Sequence, residues 1–124
     1  MIIRINEFSD VPIYMQIRNQ IVMGISDGSL KSGEQLPTVR ALALEIGINT
    51  MTVSKAYQLL KTEGYIFTDR KNGARVRLEI QQKSELSAEN KSELKRIISE
   101  ARISGLKKRD IIALVEEYYG EDDE

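Results

Sequence analysis

The 124-residue sequence contains no cysteine and no histidine. This excludes disulfides, zinc sites built on cysteine, thiol nucleophiles and an imidazole general base. Neither standard glycine-rich phosphate loop is present, and no isolated pair of carboxylates lies in an apolar setting. We therefore expect a protein that is not an enzyme and that needs neither a metal nor a cofactor.

A long apolar run is also missing. No stretch approaches the roughly 20 residues that a membrane-spanning helix needs, and the first residues, MIIRINEFSDVP, lack the segments of a signal peptide. A cytoplasmic protein without a membrane partner is expected. The net charge of −1 hides an asymmetry, because residues 1–80 hold ten Lys and Arg against eight Asp and Glu. A nucleic-acid partner requires only a local basic face, so the total charge does not exclude one.

Isoleucine recurs every four residues near the start of the chain, which indicates a helix with one buried face. These isoleucines are Ile13, Ile17, Ile21 and Ile25. Asp10 can cap the start of this first helix, with Pro12 in its first turn, and Gly28 ends it.

Two shorter helices are predicted next, separated by a tight turn. Thr38 can cap the second helix, VRALALEI, and Gly47 ends it. Asn49 can cap the third helix, which ends at Gly64. The inward positions of the third helix are Val53, Ala56, Tyr57 and Leu60. Two helices that cross steeply need a left-handed residue at the corner, and glycine adopts that conformation without steric cost.

A β-hairpin is predicted after the third helix. YIFTD and ARVRLEI alternate apolar and polar residues, and the connecting RKNG contains Asn-Gly, a strong hairpin signal. Helix, turn, helix and trailing β-ribbon describe a winged helix-turn-helix over residues 10–80. The expected fold class is mainly α with a small β-wing, followed by a two-helix C-terminal dimerisation segment.

The outer face of a recognition helix reaches base edges in DNA. The positions left outside the core at the start of the third helix are Asn49, Thr50, Met51, Thr52, Ser54 and Lys55, with Gln58 one turn further. Short polar side chains allow close approach to a groove, and the only acid, Glu63, lies at the far end. Candidate DNA contacts are therefore Asn49, Thr50, Thr52, Ser54 and Lys55, although a solvated helix face is the alternative.

Arg40 lies in the first turn of the second helix, beside the Thr38 cap. A cation is unfavourable at the positive end of a helix dipole, so a phosphate or a guanine edge would explain its position. An ion pair with Glu34 or Glu45 is the alternative. Thr38 and Arg40 join the candidate DNA contacts.

The predicted wing tip is basic. It groups Arg70, Lys71 and Arg75 around the turn residue Gly73, and Arg77 shares a face with Arg75 by two-residue periodicity. Such a tip can follow phosphates or enter the minor groove. Charge that protects a sheet edge from pairing is the alternative.

Residues 81–120 are predicted to form a polar connector and two amphipathic helices, with a cap at Ser87 and a break at Gly105. Their apolar faces comprise Leu94, Ile97, Ile98 and Ala101 on the first helix and Ile111, Leu114, Val115 and Tyr118 on the second. A helical pair of this size cannot bury both faces alone. It either forms a homodimer interface, which would match two DNA half-sites, or packs on the first helix. The acidic residues 121–124 are expected to be disordered.

Four motifs extend over residues 11–79: PIYMQI, GSLKSGEQLPTVRALA, GINTMTVSKAYQLL and EGYI. Together they resemble the DNA-binding domain of the GntR family, and the short helical tail resembles its YtrA-like branch. This resemblance implies a homodimeric transcriptional repressor in which Arg40 and the polar start of the third helix contact DNA. Thr50 and Ser54 stand where some relatives have arginine, so the guanine contacts of those relatives do not transfer.

The function expected from these patterns is sequence-specific transcriptional regulation, with palindromic double-stranded operator DNA as the partner. A winged helix that binds proteins in place of DNA is the alternative, and a sensor of anionic ligands would need a basic concavity. The short tail leaves little room for a ligand pocket of about 300–1,000 Å³. A cleft at the dimer interface could still hold a small-molecule effector.

Overall fold

A computed structural model describes residues 1–71, 73–77, 79–80 and 82–120. Within these residues the helices are α1 Ile13–Asp27, α2 Val39–Ile46, α3 Thr50–Glu63, α4 Ala88–Ile103 and α5 Lys108–Tyr119. The strands are β1 Ile66–Asp69 and β2 Gly73–Val76. The chain forms two compact units, Met1–Gln81 and Gln82–Glu124. The predicted fold class, mainly α with a small β-wing and two C-terminal helices, is confirmed.

The ends of α2 and α3 lie where the sequence predicts them. Thr38 Oγ1 accepts the backbone N–H of Ala41 at 3.0 Å, and Asn49 Oδ1 accepts that of Met51 at 2.7 Å. Gly47 between the helices has φ +68° and ψ +34°, the left-handed conformation expected at this corner. The helix-turn-helix is therefore set by three local signals.

The predicted start of α1 at Asp10 is wrong. The helix begins at Ile13, after an extended Pro12 whose carbonyl accepts the N–H groups of Met15 and Gln16 at 3.0 Å each. A capping side chain acts from the residue directly before the first helical one. Asp10 lies two residues too early to do so.

Residues 3–6 lie along α1 and are held there by two glutamine side chains. Gln16 accepts the backbone N–H of Asn6 at 2.8 Å and donates to its carbonyl at 2.9 Å. Gln20 makes the same pair of bonds with Arg4, at 2.9 and 2.6 Å. Each amide thus replaces the double hydrogen bond of paired antiparallel residues, and Ile3 and Ile5 pack against the core.

The core of the first unit lies among α1, α2, α3 and the wing. Its buried side chains are Ile17, Ile21, Leu30, Leu36, Leu42, Ala43, Val53, Ala56, Tyr57, Leu60, Ile66, Ala74 and Val76. The inward face predicted for α3 is confirmed in full, and Ile17 and Ile21 are the fully buried members of the isoleucine series. Ile13 and Ile25 pack at its margin.

The wing is held on both edges of β2. On one edge β1 pairs antiparallel with β2, with Ile66 opposite Val76. On the other edge the loop before α2 bonds to it, since Leu36 N donates to the Ala74 carbonyl at 2.8 Å and Val76 N to the Glu34 carbonyl at 2.9 Å. Backbone hydrogen bonds therefore join the wing to the loop that leads into α2.

The second strand is shorter than the sequence predicts. It ends at Val76, so Arg77 follows the strand and does not belong to it. Gly73 is the first residue of β2 and pairs with Asp69, whereas Asn72 of the predicted Asn-Gly turn lies outside the described residues.

Helices α4 and α5 make up most of the second unit. Ser87 Oγ accepts the N–H of Asn90 at 3.1 Å, which confirms the predicted cap. No residue of either helix is fully buried. The acidic tail at 121–124 lies outside the described residues. No helix within the described residues has the length and apolar character needed to cross a membrane.

Candidate nucleic-acid interface

Helix α3 packs against α1 and α2 and leaves one face in solvent. Of the predicted contacts on this helix, Thr50 and Lys55 are exposed, whereas Thr52 and Ser54 are half-buried. Two further exposed residues share this face, Met51 and Gln58. Both are predicted to lie outside the core but are not among the predicted DNA contacts. Their helical spacing with Lys55 is the sequence pattern that identifies this face.

Thr38 and Asn49 cap α2 and α3 and are both exposed. Each cap uses only an acceptor oxygen. The Thr38 hydroxyl proton and the Asn49 amide N–H groups therefore stay available as donors. Because hydroxyl and amide donors commonly bind phosphate oxygens, capping is compatible with a backbone contact to DNA.

Lys55 does not extend freely from α3. Its ammonium group lies 4.2 Å from the centroid of the Tyr14 ring on α1, within the range of a cation–π contact. This contact draws the charge toward α1. The Lys55 ammonium group thus lies on the α1 side of α3, and its contact with DNA stays a prediction.

Arg40 is exposed in the first turn of α2, and no ion pair within the described residues involves it. The ion pair between Arg40 and Glu34 or Glu45, which the sequence allows as an alternative, is absent. Instead the Glu34 carboxylate accepts the backbone N–H of Lys31 at 2.9 Å. The Arg40 charge therefore stands uncompensated at the positive end of the α2 dipole.

The only acid of α3, Glu63, is neutralised within the fold. Its two carboxylate oxygens each accept a hydrogen bond from Arg18 on α1 at 2.9 Å. The bond to Glu63 raises the pKa of Arg18 against the opposing effect of its desolvation. No uncompensated negative charge remains on α3.

Tyr57 links α3 to the start of α2. Its hydroxyl donates to the Pro37 carbonyl at 2.8 Å, directly before the Thr38 cap. Burial, with a smaller contribution from Glu45, raises the pKa of Tyr57 well above its ordinary value, so the hydroxyl keeps its proton. This bond holds the start of α2, where Arg40 lies, against α3.

The predicted cations of the wing have two different roles. Arg70 and Lys71 are exposed at the turn between the strands. Arg75 is half-buried, and its Nε donates to the Gly33 carbonyl at 2.9 Å, which fixes β2 to the loop before α2. Gly73, the first residue of β2, has φ +71°. Arg70 and Lys71 are therefore the more exposed cations of the tip, and a DNA contact by Arg75 stays a prediction.

A family model described as "Bacterial regulatory proteins, gntR family" matches residues 13–76, more than half of the chain. The HTH-type transcriptional repressor YtrA of Bacillus subtilis (strain 168) is 45% identical over 74 residues. This match covers 60% of the chain and 57% of the repressor. The chain thus spans little more than half the length of this curated relative.

Solved structures extend the likeness to the second unit. A transcriptional antiterminator from Listeria monocytogenes EGD-e is 32% identical, with a TM-score of 0.78 over 100% of this chain and 97% of its own. YtrA from Sulfolobus acidocaldarius, a GntR-family transcription factor, is 38% identical, with a TM-score of 0.57 over 91% and 92%.

The first unit also matches a structure that contains DNA. AraR(DBD) in complex with the operator ORX1 is 26% identical, with a TM-score of 0.51 over 58% of this chain and 86% of its own. The family match covers α1 through the wing, and both YtrA proteins are among its relatives. The chain belongs to the GntR family of bacterial regulatory proteins, in agreement with its sequence motifs.

Proposed function

We propose that this protein is a transcriptional repressor that binds a palindromic operator as a homodimer. Helix α3 enters the major groove, Arg40 contacts a phosphate or a guanine edge, and the wing tip contacts the adjacent backbone. The observation that carries this proposal is electrostatic. The one acid of α3 is paired with Arg18, while Arg40 beside the helix has no partner within the described residues.

This charge arrangement suits a polyanion. Phosphate contacts supply most of the affinity of a DNA-binding protein and set its position, whereas base contacts supply specificity. Arg40, Arg70 and Lys71 are exposed cations of the first unit. Thr50 and Gln58 offer polar groups for base edges. The operator complex of AraR(DBD) and the repressor name of the Bacillus YtrA support this assignment for the present chain.

The homodimer is proposed from the apolar faces of α4 and α5. Leu94, Ile97 and Ile98 remain 42–48% exposed on α4, and Leu114 and Val115 remain 43% and 49% exposed on α5. The predicted face also includes Ala101, Ile111 and Tyr118. Apolar side chains repeated on two helices favour a partner that removes them from water. A second copy supplies one with two-fold symmetry, which matches a palindrome.

The second unit also has room for a small-molecule effector. A cavity of about 640 Å³ opens at the corner between α4 and α5. Its walls include Ile98 and Ile111, which belong to the predicted dimer face. Its volume is within the range of ligand pockets, so an effector bound there would act on the dimer interface.

The proposal is tested by titrating the protein against the DNA upstream of its own gene at several salt concentrations. The logarithm of the affinity should fall with the logarithm of the salt concentration by about 0.9 for each phosphate neutralised. Arg40→Ala should weaken binding by about 1–3 kcal/mol if Arg40 contacts a base. Arg40→Lys separates a base contact from a phosphate contact, since lysine keeps the charge but loses the bidentate geometry.

Arg4→Ala is the matched control. Arg4 is exposed, and the bonds that hold it to Gln20 use only its backbone. The Arg4→Ala substitution removes the same charge as Arg40→Ala but should leave the affinity for DNA close to that of the wild type. Binding that ignores both salt and Arg40→Ala would reject the proposal. Stronger binding to RNA of the same sequence would redirect it to transcript recognition.

A further inference from the structure

We propose that Met51 recognises the 5-methyl group of a thymine in each operator half-site. This inference rests on the proposed function, because it assigns part of the base recognition to one side chain of α3. Met51 is the second residue of the helix, and its side chain is 78% exposed.

The side chains around Met51 are largely committed elsewhere. The Asn49 oxygen caps α3 by accepting the N–H of Met51 itself, and the Lys55 ammonium lies on the Tyr14 ring. Thr52 and Ser54 are half-buried at the margins of the helix. Within the first two turns of α3, Met51 is therefore the one large apolar side chain that is exposed.

The chemistry of a thioether limits what Met51 can recognise. It has no donor and only a weakly accepting sulfur, so it cannot form the bidentate bonds that arginine, asparagine or glutamine make with bases. In the major groove, thymine alone presents an apolar group, its 5-methyl, and apolar side chains contact it. The unbranched, polarizable methionine side chain adapts its shape to such a contact.

The experiment begins with selection of duplexes bound by the wild-type protein from a random pool. Each thymine of the selected half-site is then replaced in turn by deoxyuridine, which removes only the methyl group. At one position the wild type should lose about fourfold in affinity, the value expected for one buried methyl group. Substitution in both half-sites should lose about the square of this factor.

Met51→Ala should bind the thymine operator more weakly and should no longer respond to deoxyuridine at that position. Alanine favours the helix and the side chain is exposed, so this variant should fold. Met51→Leu should keep the response, since leucine is also apolar. Met23→Ala is the matched control, because Met23 is 58% exposed on α1 and should behave as the wild type.

Two results would overturn the inference while leaving the proposed function intact. One is a wild-type protein that selects an operator but responds to deoxyuridine at no position. The other is a Met51→Ala variant that keeps the full response, which would assign the methyl contact to another side chain and leave Met51 available to a protein partner. If the wild type enriches no duplex, the proposed function and this inference fail together.

Discussion

At the scale of single residues, Tyr57 combines a packing role with a polar one. Its ring lies in the core of the first unit at 6% exposure, and its hydroxyl bonds to the Pro37 carbonyl. The ring position follows from helical spacing, whereas the bond to Pro37 depends on how α2 and α3 cross. Tyr57 therefore stabilises the first unit and also helps to fix the position of α2 relative to α3.

Tyr57→Phe should lower the free energy of unfolding by about 1 kcal/mol, because it removes one hydrogen bond and keeps the ring. The pH dependence should change as well. The folded-state pKa of Tyr57 is raised from 10.0. The protonated hydroxyl therefore makes its full contribution to the free energy of unfolding well below pH 10. Above that pH, wild-type stability should fall by about 1.4 kcal/mol per pH unit. Urea unfolding at pH 8, 10 and 11 measures both effects.

Tyr57→Phe should lack this particular loss above pH 10, since phenylalanine cannot ionise. Equal slopes for the two proteins between pH 10 and 11 would show that Tyr57 ionises as easily folded as unfolded. Equal stability at pH 8 would show that the bond to Pro37 contributes nothing.

At the scale of elements, the helix-turn-helix depends on the conformation of Gly47. A Cβ added there would meet no atom within 4 Å, so the cost of a substitution is conformational and not steric crowding by neighbours. Gly47→Ala should lower the free energy of unfolding by about 1–2 kcal/mol, because alanine disfavours the left-handed region. Urea unfolding measures the loss.

Gly47→Asn is the matched comparison, since asparagine also carries a Cβ but tolerates the left-handed conformation. It should cost less than alanine. Equal losses for the two variants would indicate that bulk at the turn, and not its backbone conformation, is what the fold rejects.

Elements that depend on neighbouring residues could be predicted from the sequence. Thr38, Asn49 and Gly47 act within a few residues of themselves, so their sequence positions are enough to predict where α2 ends and α3 begins. The predicted start of α1 is wrong because Pro12 occupies the capping position in an extended conformation, two residues after Asp10. The roles of Lys55 and Arg75 could not be foreseen, since Tyr14 and Gly33 lie far away in the chain and meet them only in the folded unit. Which of the candidate residues contact DNA stays a prediction.

At the scale of the whole molecule, the proposed dimer makes stability depend on concentration. Helices that bury no residue within their own chain are stabilised by a second copy through mass action. The unfolding midpoint should therefore rise with protein concentration. Ile97→Glu should abolish this rise and shift the sedimenting species from twice 14.1 kDa to 14.1 kDa.

Ile103→Glu is the control for this test. Ile103 is 85% exposed on α4 but lies off the predicted apolar face, so its replacement should leave the dimer intact. A wild-type midpoint independent of concentration, or a monomer in sedimentation, would contradict the dimer. Dissociation by Ile103→Glu but not by Ile97→Glu would place the interface on the other side of α4.

The two glutamines that hold residues 3–6 along α1 have a consequence for how this protein can evolve. Gln16 and Gln20 bond only to backbone groups, those of Asn6 and Val11 for Gln16 and of Arg4 for Gln20. The identities at positions 4 and 6 can therefore drift without loss of these bonds, whereas the amides at 16 and 20 cannot be exchanged as freely. Among descendants of this protein, glutamine should therefore be kept at positions 16 and 20 while positions 4 and 6 vary.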